Sequence, residues 1–90
     1  MKIIWREHAQ WRMAERSIEP DTVMAALAQG EVIRYYVDDK PYPSRLILHW
    51  TDGQPLHVVA AMVDEETEII ITAYHPDPAL WEPDFKRKRL

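Results

Sequence analysis

Apolar residues recur along this chain at two periods, and the change between them falls at Gly30. Upstream, Trp5, Ala9 and Met13 stand four apart, the spacing of one helical stripe. Downstream, Val, Ile, Tyr and Thr dominate in short runs separated by Pro, Gly and Asp, the composition of strands and tight turns. The pattern predicts a strand-like start at residues 2–5 running into a helix over about 6–16, then a second helix over 20–29. Strands follow at about 31–37, 44–51, 54–63 and 67–74.

The punctuation supports this division. Pro20 suits the first helical position, where a missing N–H costs nothing. Ile18 and Val23 flank it at the spacing of a hydrophobic staple. Gly30 is expected to end the helix as a left-handed cap. Asp38 to Pro43 reads as a stiff loop, Asp52-Gly53 as a two-residue hairpin turn, and Asp64 to Thr67 as a second turn. The tail, 75–90, carries three prolines, then Trp81 and Phe85, which are expected to dock before the basic end frays. The expected architecture is α+β in a single domain, 1–90: two N-terminal helices packed on one face of a four-stranded antiparallel meander.

The turns also imply a register. A loop at Asp52-Gly53 pairs Thr51 with Gln54 and Leu48 with His57, and a turn at Glu65-Glu66 pairs Asp64 with Thr67 and His57 with Tyr74. Alternation then sorts the sheet into two faces. One takes Ile47, Leu56, Val58, Ala60, Met62, Ile69, Ile71 and Ala73, with Arg45 and His49 toward one end, and is expected to meet the helices. The other takes Leu46, Leu48, Trp50, His57, Val59, Ala61, Ile70, Thr72 and Tyr74, and is expected to stay open.

Composition narrows the function. Ninety residues with 47% hydrophobic content suffice for one core and exclude a multidomain enzyme. With no Cys there is neither a disulfide framework nor a zinc ribbon, and the expected compartment is the cytoplasm. No apolar run approaches membrane length, and Arg6, Glu7 and His8 interrupt what a signal peptide needs, so no membrane partner is expected. The net charge is −4, yet Lys86 to Arg89 hold four of the eleven cations. The first 85 residues therefore carry seven cations against fifteen anions, net −8, which argues against general nucleic-acid binding. Residues 1–18 nevertheless hold Lys2, Arg6, Arg12 and Arg16 against Glu7 and Glu15, which permits a local anion site.

Candidate chemistry concentrates in two places. His57 opposite Tyr74 would set two side chains about 4.5–5.5 Å apart at Cβ, close enough to share a substrate or a proton. The alternative is a cross-strand pair that only packs. His8, Arg12 and Arg16, four apart, form a stripe beside the apolar one on the first helix. That stripe can hold an anion, or it can be neutralised internally by Arg12 with Glu15 and Arg16 with Glu19. His75 and Asp77 make an ordinary turn rather than a metal pair, and no metal or cofactor is expected. Trp11 and Tyr42 are expected to be exposed, and with Trp50 they would suit a protein-binding surface or a homodimer.

The motif His8-Ala9-x-x-Arg12-Met13-x-x-Arg16-x-Ile18 resembles the opening of a bacterial family known only as a domain of unknown function, number four-two-five-eight. The resemblance continues through Gly30-Glu31-Val32-Ile33, Pro41-Tyr42-Pro43-Ser44 and Gly53-Gln54-Pro55-Leu56-His57-Val58-Val59. It closes with Tyr74-His75-Pro76-Asp77-Pro78 and Trp81-x-x-Asp84-Phe85. More distantly, the helix-first layout is similar to the RelE-type and BrnT-type toxin ribonucleases. That similarity implies metal-independent RNA cleavage, with RNA or the ribosome as target and a cognate antitoxin-like protein as partner. It would give His57, Tyr74 and His8 acid–base roles, Arg12 and Arg16 the phosphate, and Trp50 a place on the substrate. Such a site requires the first helix to reach the open sheet face. A non-catalytic binding or self-associating module is the alternative.

Overall fold

A computed structural model describes all 90 residues. The elements are β1 (Lys2–Trp5), α1 (Glu7–Glu15), α2 (Pro20–Gln29), β2 (Glu31–Tyr36), β3 (Ser44–Thr51), β4 (Gln54–Asp64) and β5 (Thr67–Tyr74). The architecture is α+β, but the sheet has five strands rather than four, in the order β1-β5-β4-β3-β2, and it is mixed rather than wholly antiparallel. β1 lies parallel to β5, with Lys2 opposite Thr67 and Trp5 opposite Ile70. Four residues are too few to show a strand period of their own. The segment becomes a strand because β5 offers it an open edge, where the Lys2 N–H donates to the Glu66 carbonyl at 2.6 Å.

Both helices cover one face of this sheet. Ala9 and Met13 of α1 and Val23 and Ala26 of α2 form a buried cluster with Ile47, Leu56, Val58, Ala60, Ile70 and Ala73, and Ile18 closes the end between the helices. Ile18 and Val23 are both buried, as the staple requires, while Glu19 makes no side-chain cap. Gly30 departs from expectation. Its φ and ψ are −73° and 168°, so it is extended rather than left-handed. A Cβ there would lie 2.5 Å from both the Ala26 carbonyl and the Ile47 Cγ2 atom, so close approach between α2 and β3 is what demands glycine. At the β3–β4 turn the demand is conformational: Asp52 and Gly53 both have positive φ, 52° and 79°.

The predicted pairs of β3 with β4 hold, as do His57 with Tyr74 and Asp64 with Thr67. Between those last two, however, the register shifts twice. β5 carries one extra residue at Ile71 and β4 one at Val63, and the two bulges cancel. Ala60 therefore faces Ile70 and Met62 faces Glu68. This corrects the face assignment: Ile70, expected on the open side, is buried among the helices, while Ile69 pairs with Ala61 on the opposite side. The reason is steric, because the branched Ile70 fills the helix-facing core opposite Ala60.

The expected open face is covered. Residues 75–90 fold back over it, with Trp81 buried and an antiparallel bridge between Trp81 and Lys88. The basic end does not fray. Lys86 pairs with Glu31 at 3.0 Å, Arg87 with Asp84 at 3.1 Å and Arg89 with Glu82 at 3.6 Å, and Lys88 lies 5.7 Å from the Trp81 ring centroid.

The two glycines should respond differently to alanine. Gly30→Ala forces backbone and a buried side chain apart and should cost about 3 kcal/mol. Gly53→Ala meets no atom within 4 Å and should cost only the left-handed strain, about 1 kcal/mol. Urea denaturation measures both; equal losses would contradict the close-approach role of Gly30.

Candidate functional site

β4 and β5 present His57 and Tyr74 from directly paired positions, on the sheet side away from the helices. The Tyr74 hydroxyl lies 3.2 Å from His57 Nδ1, with ring centroids 5.3 Å apart and nearly perpendicular. The other ring nitrogen, Nε2, lies 2.8 Å from the Phe85 carbonyl. Trp81 meets the imidazole edge-on at 4.6 Å, and Phe85 meets Trp50 at 5.7 Å. His57 is 0% exposed.

These partners define the proton positions. A carbonyl only accepts, so Nε2 carries the hydrogen, and Nδ1 is left to accept from the Tyr74 hydroxyl. Burial lowers the His57 pKa below the ordinary 6.5, opposed by the Phe85 hydrogen bond, which raises it. Burial raises the Tyr74 phenol above 10.0, assisted by the neighbouring Tyr36. Both groups are therefore held neutral, with both imidazole nitrogens occupied. The pair is satisfied and shut, not poised against solvent.

The α1 residues lie in the other layer. Ala9 and Met13 turn toward the sheet, leaving His8, Trp11 and Arg12 on the outer side of the helix. Arg12 approaches His8 at 3.5 Å and Glu15 at 3.8 Å, the latter as expected. Arg16 does not pair with Glu19. It donates to the Ala73 carbonyl at 2.8 Å, beyond the point where β1 stops covering β5. The structure thus brings His57 and Tyr74 together, leaves His8 and Arg12 in the helix layer, and sets the Arg16 guanidinium at the β5 edge on the carbonyl of Ala73, the residue before Tyr74. Trp50 stands at the rim of the His57 face, 45% exposed, against Phe85 rather than a free cleft. Tyr42 is half-buried, whereas Trp11 is 69% exposed.

The largest concavity, about 770 Å³, lies along α1 and is lined by Arg6, Glu7, His8, Gln10, Trp11 and Ala14. It shares Gln10 and Ala14 with a second concavity, about 510 Å³, that reaches Trp5 and Ile18. Together they form an open groove with a tryptophan in each half. No group of three His, Asp or Glu side chains converges to hold a metal, and Asp77 is engaged by the Ala79 N–H at 2.8 Å.

One feature escaped sequence reasoning. Arg45 and Glu68 form an ion pair whose side chains are only 12% and 7% exposed. The bulge at Ile71 brings Glu68 opposite Met62, on the same face as Ala60 and its β3 partner Arg45. Each residue is a lone charge in an apolar strand, which is the signal that they seek each other.

Two outcomes follow from these buried groups. Because the folded His57 pKa lies below the unfolded value, the unfolded chain takes up the proton first as pH falls. The stability contributed by neutral His57 is complete above pH 6.5 and declines as pH drops from there through the folded value. Urea midpoints at pH 7.5 and 5.5 should differ in wild type and converge in His57→Gln. Asp64 and Asp84, both lowered by backbone hydrogen bonds, act in a more acidic window, below 3.8. Separately, Glu68→Ala strands a buried guanidinium and should cost about 3–5 kcal/mol, whereas Arg45→Met with Glu68→Leu should recover most of that loss. A mild Glu68→Ala phenotype would refute the buried pairing.

Comparison with known proteins gives one match. No curated protein and no solved structure matches the chain. A family model described as a domain of unknown function matches residues 5–75, from the last residue of β1 to just past β5. The chain belongs to this family, DUF4258.

Proposed function

We propose that this domain is a non-catalytic protein-interaction module and that the outer side of α1 is its docking surface. The observation that carries the reading is Trp11, 69% exposed on a groove whose other half holds Trp5. A large ring standing mostly in water gains by burying its exposed apolar area, and Trp and Arg are among the residues that most often dominate interface energy. Arg6 lines that groove, on a body that is otherwise acidic. It selects a partner segment carrying a carboxylate beside an apolar side chain, and it favours its approach from a distance.

The ribonuclease reading draws its support from the distant similarity to RelE-type and BrnT-type toxins. It needs an exposed acid–base pair and a cation beside it. His57 and Tyr74 instead occupy each other beneath Trp81, Arg12 stays in the helix layer beside Glu15, and Arg16 is committed to the Ala73 carbonyl. The interaction reading is therefore the better supported of the two.

Trp11→Ala should weaken the complex or dimer about 30-fold, the effect of losing roughly 2 kcal/mol at an anchor residue. Trp50→Ala should leave it intact. Light scattering after size exclusion, and affinity capture with the two variants in parallel, read the difference. Purified protein should leave RNA and programmed ribosomes uncut. Cleavage by the wild type that disappears in His57→Ala would overturn this reading in favour of the nuclease.

A further inference from the structure

We propose that residues 76–90 are a releasable strap, folded as a unit, which occupies in cis a second binding face on the sheet around His57. This goes beyond docking at α1 and concerns the opposite side of the molecule.

The strap is internally organised. Its backbone closes on itself through Glu82 N–H to the Arg87 carbonyl at 2.8 Å and Arg89 N–H to the Leu80 carbonyl at 2.9 Å. Asp84 accepts from the Lys86 N–H at 3.0 Å, and two of the three ion pairs, Arg87–Asp84 and Arg89–Glu82, stay within the strap. Its ties to the body are few. They are the Trp81 ring against His57, the Phe85 carbonyl on His57 Nε2, the Phe85 ring against Trp50, and the exposed Lys86–Glu31 pair. An exposed ion pair holds little. Residence therefore depends on Trp81 and Phe85.

The topology points the same way. Every strand of the sheet is complete by Tyr74, so the strap adds no strand and only covers one. Release uncovers Leu48, His57, Tyr74 and the whole of Trp50, an apolar strip with the His57 Nε2–H donor at its centre. The ligand such a strip takes is the one it now holds: a peptide segment with Trp and Phe four residues apart and a free carbonyl on the second.

The cysteine-free chain makes the test direct. The strap touches Glu31 through Lys86 and His57 through Phe85, and Leu48 lies between those two in the cross-strand row, so the strap passes over it. A sole thiol at Leu48→Cys, its labelling rate divided by that of a free cysteine, should give an opening constant at least ten-fold larger than the one Val58 amide exchange gives after the same normalisation. Adding Trp81→Ala should accelerate labelling at least ten-fold more while Val58 remains protected. A synthetic peptide of residues 76–90 should then slow it again. In the unaltered chain, the His57 Nε2 proton, which is bonded across to the Phe85 carbonyl, should show an opening constant well above that of the Val58 amide, which keeps the test valid if Leu48→Cys does not fold. Opening constants at Cys-labelled position 48 and at His57 no larger than that of Val58 would overturn the proposal, because strap and sheet would then open only together. A peptide without effect would overturn the binding face.

Discussion

Which side chains meet at either face of this domain is decided by the hydrogen-bond register between β4 and β5. A single bulge would send every residue beyond it to the wrong side of the sheet. Two bulges on opposite strands cancel, so the shift is confined to the stretch between Val59 and Asp64. Within that stretch Ile70 enters the helix-facing core and Glu68 reaches Arg45. Outside it, His57 still faces Tyr74. Only the Arg45–Glu68 pair thus depends on the local irregularity, while His57–Tyr74 keeps the register it would have without it.

Those pairs solve one physical problem in two ways. A polar group withdrawn from water must find a partner of matching chemistry. Arg45 and Glu68 keep their charges and neutralise each other across β4. His57 and Tyr74 are held uncharged, with the Phe85 carbonyl taking the remaining hydrogen. No buried side-chain nitrogen or oxygen is left without a partner. Such complete satisfaction leaves the histidine no free nitrogen while residues 76–90 lie over it. α1 contrasts with it: Trp11 remains in solvent with no structural duty.

Much of this was legible in the residues. Asp52-Gly53 could only form a tight turn, and the pairs counted outward from it hold along all of β3 and β4. Pro20, Ile18 and Val23 were enough to place α2. Other features were hidden for physical reasons. The bulge at Ile71 arises because Ile70 packs among the helices, which local alternation cannot express. The strand-like start at 2–5 was readable, but its parallel place beside β5 was not, because that depends on which edge the sheet leaves open. Gly30 was correctly singled out, but for conformational freedom, when the need was space beside Ile47. For the candidate site, the facing of His57 and Tyr74 was readable from turn arithmetic. Its closure by Trp81 and the reach of Arg16 to the Ala73 carbonyl were not, since both depend on how layers stack.

The placement of β1 beside β5 has a consequence for how the chain reaches this state. Lys2 and Thr67 are neighbours in the sheet yet stand far apart along the polypeptide, with both helices and three strands between them. Closing so long a loop is slow compared with forming the β3–β4 hairpin, because most of the chain must be ordered before the contact is rewarded. During synthesis, the first strand emerges long before its only partner exists. Ile3, Ile4 and Trp5 must wait, uncovered, until almost the entire domain has left the ribosome. The sheet is completed last at the end that is made first.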